Sequence, residues 1–245
     1  GSSAASDVYK RQGYVFVTQR SPMPWDGDAY VGVREIVVPP NANGGACGYD
    51  IALLILSGSV PWNDVTPIIP RVDEALPYGE VYSAIGYGAT NDNGNGSGTR
   101  RRRDNLTVQC GTGQCPNWAA RSQEWVGEAG VCQGDSGGPA VDAKGRVVGI
   151  ASRGGQGCSS PVYTGVSTWG DWIKQQVIYA ADLEGIEAPE WAYGHTTDPA
   201  FNHPVGKPCS GVNECADGLC ISGICTRQCN EQAPCPDEYE CCLLY

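Results

Sequence analysis

Apolar positions along this chain alternate or cluster over short spans and then break at glycine, proline or asparagine. Residues 29–38, AYVGVREIVV, are β-branched and partly alternating, which predicts a strand. YDIALLIL at 49–56 is almost wholly apolar, as a strand facing a barrel interior must be. GEVYSAIGYG at 79–88, NLTVQC at 105–110 and GRVVGIASRG at 145–154 predict further strands. PPNANGG at 39–45 and ATNDNGNGSGTRRRRDN at 89–105 read as loops. The run Arg100 to Arg103 in the second loop is either a solvated, protease-sensitive stretch or a basic exosite. Helical periodicity is clear only in WGDWIKQQVIYAADLEG, 169–185. There Trp172, Ile173, Gln176, Val177 and Ala180 fall on neighbouring turns and Gly185 is the stop.

Composition narrows this picture. A chain of 245 residues has length for one large domain or two unequal ones. Its net charge of −11 argues against nucleic acid or an anionic lipid surface as partner, and no apolar stretch is long enough to span a membrane. Thirteen cysteines point to an oxidising, extracellular compartment. Five lie before residue 160 and eight crowd between Cys209 and Cys242. That divides the chain into a β domain over 13–185, a linker over 186–208 and a small disulfide module over 209–241.

The ends look foreign. Residues 7–12, DVYKRQ, and the last four, CLLY, are translations of one short DNA element read in opposite orientations, as in a sequencing-transposon adapter; coincidence is the alternative. On the adapter reading, 1–12 and 242–245 are not native, and the natural chain is broken at both ends.

The motif that carries chemistry is CQGDSGGPA, 132–140. A serine nucleophile needs a tight glycine-flanked turn, so that its hydroxyl is exposed and backbone N–H groups converge on a developing oxyanion. An ordinary glycine-rich turn is the bland alternative, but the full run is far more specific than a lone GxSxG. The chain here resembles a trypsin-like serine protease of the chymotrypsin fold. GYDIALLIL, GYGAT at 86–90, GIASRG at 149–154 with Cys158, and VYTGVSTWGDWI at 162–173 resemble that family in the same order, over roughly residues 20–183.

The resemblance implies an all-β fold of two six-stranded antiparallel barrels, the first incomplete, with a C-terminal helix. It makes Ser136 the nucleophile, Asp50 the acid that orients the base, and the N–H groups of Gly134 and Ser136 the oxyanion hole. An Asp that opens a buried apolar strand must in any case be compensated. Asp135 would shape the hole by pairing with a new amino terminus after zymogen cleavage. Cys132 and Cys158 match the disulfide that braces the pocket; Cys110 and Cys115 are a possible local pair. Ser152, Arg153 and Gly154 would line the substrate pocket, with Gly130, six before Ser136, as its floor. A floor without a carboxylate implies cleavage after apolar or aromatic residues. Arg153 would either attract acidic residues near the scissile bond or face solvent.

One part is missing. The family's base is a histidine upstream of the acid, and this chain's histidines, His195 and His203, both follow the helix. Truncation just downstream of that histidine is the expectation; a pseudoprotease that lost its base is the alternative. Cys47 has no partner in the protease part, so its partner lies in the absent segment or it is a free thiol. The tail resembles disulfide modules appended to secreted bacterial proteases, notably from myxobacteria-like organisms, and it serves either as a spacer or as a cell-surface or substrate contact. It lacks CxxC pairs and histidine, so neither zinc nor any cofactor is expected. The expected function is that of a secreted serine endopeptidase acting on proteins or peptides, with a pseudoprotease or a surface-binding protein as alternatives.

Overall fold

The computed structural model describes residues 15–18, 20–22, 24–40, 42, 47–58, 60, 67–198, 207–210, 215 and 219–226. The foreign-looking ends, His203 and the cysteines beyond Cys225 lie outside the described residues. The chain divides into two compact units, 1–180 and 181–245.

In the first unit, β1 (Phe16–Val17), β2 (Val31–Val37) and β3 (Leu53–Leu56) form an antiparallel sheet in that order. Six further strands close a barrel: β4 (Val81–Gly86), β5 (Arg101–Cys110), β6 (Glu124–Gly127), β7 (Pro139–Asp142), β8 (Val147–Gly155) and β9 (Ser159–Gly165). The order is β4-β5-β6-β9-β8-β7, and β4 bonds to both β5 and β7, so no edge remains. The expected mostly-β architecture with a barrel, a terminal helix and disulfides is therefore present. Among the described residues, β1 to β3 form an open three-stranded sheet beside this one closed barrel.

Alternation explains the barrel core. Leu106 and Val108 on β5 point inward to Tyr82 and Ala84 of β4, Trp125 of β6 and Tyr163 of β9, all buried. Trp125 stacks on Tyr163 at 4.1 Å, and Tyr82 meets Trp125 edge-on at 5.0 Å. Each such aromatic pair contributes ~0.5–1.5 kcal/mol beyond area burial.

One expected loop is shorter than its composition implied. Arg101, Arg102 and Arg103 belong to β5, in register with Gly86, Ile85 and Ala84 of β4. The ladder uses backbone groups alone, so arginines fit it with their side chains exposed. The remaining 89–100 segment is tied down by Thr90 N–H to Asn95 O and by Gly98 N–H to Tyr87 O, both at 2.8 Å.

Helix α1 (Gly170–Glu184) follows β9 where periodicity predicted it. Ile173 is buried, Trp172, Gln176, Val177 and Ala180 are half-buried, and Gly185, at φ 64°, ends it. Among the described residues, no helix is long and apolar enough to cross a membrane.

In the second unit, Glu190–Tyr193 forms a short 3-10 turn. β10 (Leu219–Ile221) and β11 (Ile224–Thr226) form a hairpin turned by Ser222 and Gly223, both at positive φ. Two interleaved disulfides, Cys209–Cys220 and Cys215–Cys225, staple it. The sulfurs of Cys209, Cys215 and Cys225 lie within 4.8 Å of one another, but disulfide bonding leaves no thiolate among them to bind a metal.

Candidate active site

The 132–138 turn is held by its own backbone and by β8. Asp135 N–H donates to Cys132 O at 3.1 Å, Gly138 N–H to Asp135 O at 2.8 Å and Gly137 N–H to Ala151 O at 2.8 Å. Ser136 sits exposed on this turn. Gly134 has φ +95°, which L side chains rarely adopt. A Cβ on Gly138 would lie 2.6 Å from Ile85 O and 2.8 Å from Asp135 O, so the turn packs too tightly there for any side chain. Among the described residues, the N–H groups of Gly134 and Ser136 meet no acceptor. Two unpaired donors beside an exposed hydroxyl suit the stabilisation of a developing oxyanion.

Asp135 turns inward. Its carboxylate accepts Gly88 N–H at 2.7 Å and Cys132 N–H at 2.9 Å, tying the turn to the GYGAT segment. The Cys132–Cys158 disulfide fastens the same turn to the 156–159 segment, and Cys110 pairs with Cys115. Cys47 is exposed and has no disulfide partner among the described residues.

Asp50 lies far from Ser136 in sequence, and Ser152 links the two in space. Ser152 Oγ donates to Asp50 Oδ2 at 2.7 Å, and Ser136 Oγ donates to Ser152 O at 3.4 Å. Asp50 is 7 % exposed, and its carbonyl accepts Thr164 Oγ1–H at 2.9 Å. A buried carboxylate with one hydroxyl donor keeps acceptor capacity for a further N–H. His195 is in the second unit, 3.4 Å from Glu190, and no histidine occurs in residues 1–180.

Glu124, at the start of β6, is fully buried yet charged. Arg153 grips its two oxygens at 2.6 and 2.8 Å, and the N–H groups of Gly48 and Arg121 donate to the same oxygens at 2.8 and 2.7 Å. Burial alone would push the Glu124 carboxyl up. The Arg153 guanidinium and the two backbone donors outweigh it and hold the group below the ordinary carboxylate range. In turn the Glu124 carboxylate outweighs burial and raises Arg153 further. The pair joins the turn that carries Asp50 to the strand that carries Ser152. Arg153 is thus committed to a carboxylate of its own chain, which neither sequence expectation for it included.

A cavity of about 450 Å³ opens beside Ser136. Ser152, Arg153 and Gly154 form one wall, Val131 to Gln133 the other, and Asp92 from the 89–100 segment joins them. Gly130 lines a neighbouring cavity of about 580 Å³ together with Asp135, Asp92 and Arg101 to Arg103, and the Arg103 side chain packs against Gly130. The structure brings Ser152, Arg153 and Gly154 to Ser136 and leaves Gly130 on the other cavity.

Sequence reasoning missed Glu124 and Asp92. The signal for Glu124 was present, because EWVG opens an apolar strand with an acid just as Asp50 does. Asp92 had none: it sits in a polar loop whose fold depends on distant partners.

Comparison with known proteins agrees with this geometry. The trypsin family model matches residues 4–173. Chymotrypsin-like elastase family member 1 of Macaca fascicularis is 33 % identical over 171 residues, covering 61 % of this chain and 64 % of the relative. The rat protein of that name is 30 % identical over 171 residues, covering 62 % and 64 %. The suppressor of tumorigenicity 14 protein homolog of Bos taurus is 32 % identical over 162 residues, covering 60 % and 19 %. The chain thus spans under two thirds of these relatives' own length. Among solved structures, mouse neuropsin, a serine protease, matches with TM-score 0.51 at 21 % identity over 60 % of this chain and 71 % of its own. A mutant of human heparin binding protein matches with TM-score 0.53 at 20 % identity over 65 % and 74 %. These two likenesses concern the fold.

Proposed function

Because the chain belongs to the trypsin family, we propose that it is the catalytic part of a secreted serine endopeptidase that cleaves proteins or peptides through an acyl-enzyme. The observation that carries this is the contact of Ser152 with both Asp50 and Ser136. Ser136 Oγ attacks the scissile carbonyl carbon and passes its proton to a base. The oxyanion collects on the N–H groups of Gly134 and Ser136. The base then protonates the departing amine, and water hydrolyses the ester by the same steps in reverse. The base is a histidine supplied from outside these 245 residues and oriented by Asp50. Ser152, Arg153 and Gly154 form the wall of the substrate pocket. Disulfides in both units support an extracellular setting, and the tail's resemblance supports a bacterial source with the tail contacting a cell surface or substrate.

A second reading, a non-catalytic binding module, rests on the absence of histidine from residues 1–180. Loss of a triad member lowers turnover by ~10⁴-fold, so the chain by itself is a very slow catalyst. The test is labelling of Ser136 by a small fluorophosphonate, with and without millimolar imidazole, and in a chain extended upstream to include a histidine. Labelling accelerated by either base supports the protease. Failure of both to accelerate it, with the fold intact by circular dichroism, supports the binding module.

A further inference from the structure

The 89–100 segment carries two of the chain's three Asn-Gly pairs, Asn93–Gly94 and Asn95–Gly96; the third, Asn43–Gly44, lies outside the described residues. An asparagine followed by glycine is chemically labile, because no Cβ hinders the next backbone nitrogen from reaching the side-chain carbonyl. Both pairs are exposed, but their surroundings differ. Gly94 N–H donates to Asn91 O at 3.2 Å, so its nitrogen is engaged. Gly96 N–H and the Asn95 carboxamide have no hydrogen-bond partner among the described residues. Arg101 stands over Gly96. Its Nη1 donates to Gly96 O, and its Nη2 lies 3.2 Å from where a side chain on Gly96 would begin.

We propose that Asn95 is a self-modifying site, at which the Gly96 nitrogen displaces ammonia from the Asn95 side chain in the field of Arg101. The Gly96 nitrogen gives its proton to solvent base and bonds to Asn95 Cγ; the bond from Cγ to the side-chain nitrogen breaks, and ammonia leaves. Water then opens the cyclic succinimide at either carbonyl, giving aspartate or isoaspartate. The net change is amide plus water to carboxylate plus ammonium. A guanidinium beside the reacting peptide stabilises the negative charge that develops on it, and nothing comparable is printed on the fold beside Gly94. In the isoaspartate, the former main-chain carbonyl carbon of Asn95 becomes the free carboxylate. Its oxygen already accepts Thr90 N–H at 2.8 Å and Thr90 Oγ1–H at 3.1 Å, and these donors bind an anion more strongly than a carbonyl. Arg101, which also lines the cavity of about 580 Å³, is at hand as counter-charge. The segment that reaches the Ser136 cavity through Asp92 thus gains a negative charge with age.

The test incubates the full chain at mildly alkaline pH and follows each site by peptide mass and by methylation with an isoaspartyl methyltransferase. In the folded chain Asn95 should convert about fivefold faster than Asn93, the rate factor of one net hydrogen bond. In urea the two rates should converge, because the bond to Asn91 and the placement of Arg101 are lost. Arg101→Gln should slow Asn95 about threefold, as the loss of one exposed charge does, while Arg101→Lys retains most of the rate and neither variant moves Asn93. Arg101 is exposed and its strand pairs through backbone groups, so both variants keep the parental circular dichroism. The urea comparison uses the unaltered chain and stands without them. Conversion of Asn93 as fast as Asn95 in the folded chain overturns the proposal. So does an unchanged ratio of the two rates in urea, or an Asn95 rate unmoved by Arg101→Gln.

Discussion

Replacing Glu124 with alanine tests how the Asp50–Ser152 region is held together. The carboxylate is fully buried and takes four hydrogen bonds, two from Arg153 and one each from Gly48 and Arg121. Its removal leaves two backbone donors without an acceptor, each worth ~1–3 kcal/mol when left buried. It also leaves a guanidinium that is 32 % exposed facing a cavity instead of an anion. Breaking a buried pair from one side typically costs ~3–5 kcal/mol. Water can enter the new cavity and reach Arg153, so the terms overlap and the expected loss is about 3–4 kcal/mol in total. Urea unfolding followed by tryptophan fluorescence measures it as a lower midpoint at unchanged slope. The double variant Glu124→Met with Arg153→Leu should recover most of the loss, because it removes both charges and refills the space. The sign with pH follows from the lowered Glu124 pKa. The pair's contribution is complete above the ordinary carboxylate range and fades as pH falls through the depressed value. Glu124→Gln lacks this acid-dependent component. A loss below about 1 kcal/mol for Glu124→Ala, or a double variant no better than the single, would refute the reasoning.

Other consequences are as direct. Removing the Cys132–Cys158 bridge by paired serine substitution opens a link of sequence separation 26, and chain entropy sets the loss at about 3.5 kcal/mol, read from the urea midpoint. Asp135→Ala strips the acceptors from Gly88 and Cys132 N–H, so imidazole-assisted labelling of Ser136 should fall at least tenfold while the barrel melt moves little. Asp50→Asn should lower the same assisted labelling by about 100-fold or more, with Ser152 Oγ still bonded to the residue. Burial pushes Tyr82 up to about 12, so the folded chain favours its neutral phenol. That stability is complete below pH ~10, the ordinary phenol value, and declines as pH rises toward 12. Tyr82→Phe should flatten part of this alkaline decline in a series of melts.

The local chemistry of the chain is enough to foresee most of the architecture. Alternation in GEVYSAIGYG and GRVVGIASRG, the apolar run from Asp50 and the amphipathic 169–185 stretch each depend on neighbours within a few residues, and each became the element predicted. The CQGDSGGPA turn was legible for the same reason: its glycines answer a local demand for positive φ and for space. Properties that depend on what lies across the fold were not legible. The arginines of 101–103 are in a strand because β4 presents a ladder to them. Ser152 lines the cavity of Ser136 and Gly130 a neighbouring one beside Arg103, a division set by how turns and strands pack and not by spacing along the chain. Glu124 and Arg153, 29 positions apart, neutralise each other in the interior, and Asp92 reaches the cavity of Ser136 through a single bond to Gly157. A charge's effect depends on which opposite charge or dipole ends within a few ångströms of it, and only closure of the barrel sets those distances.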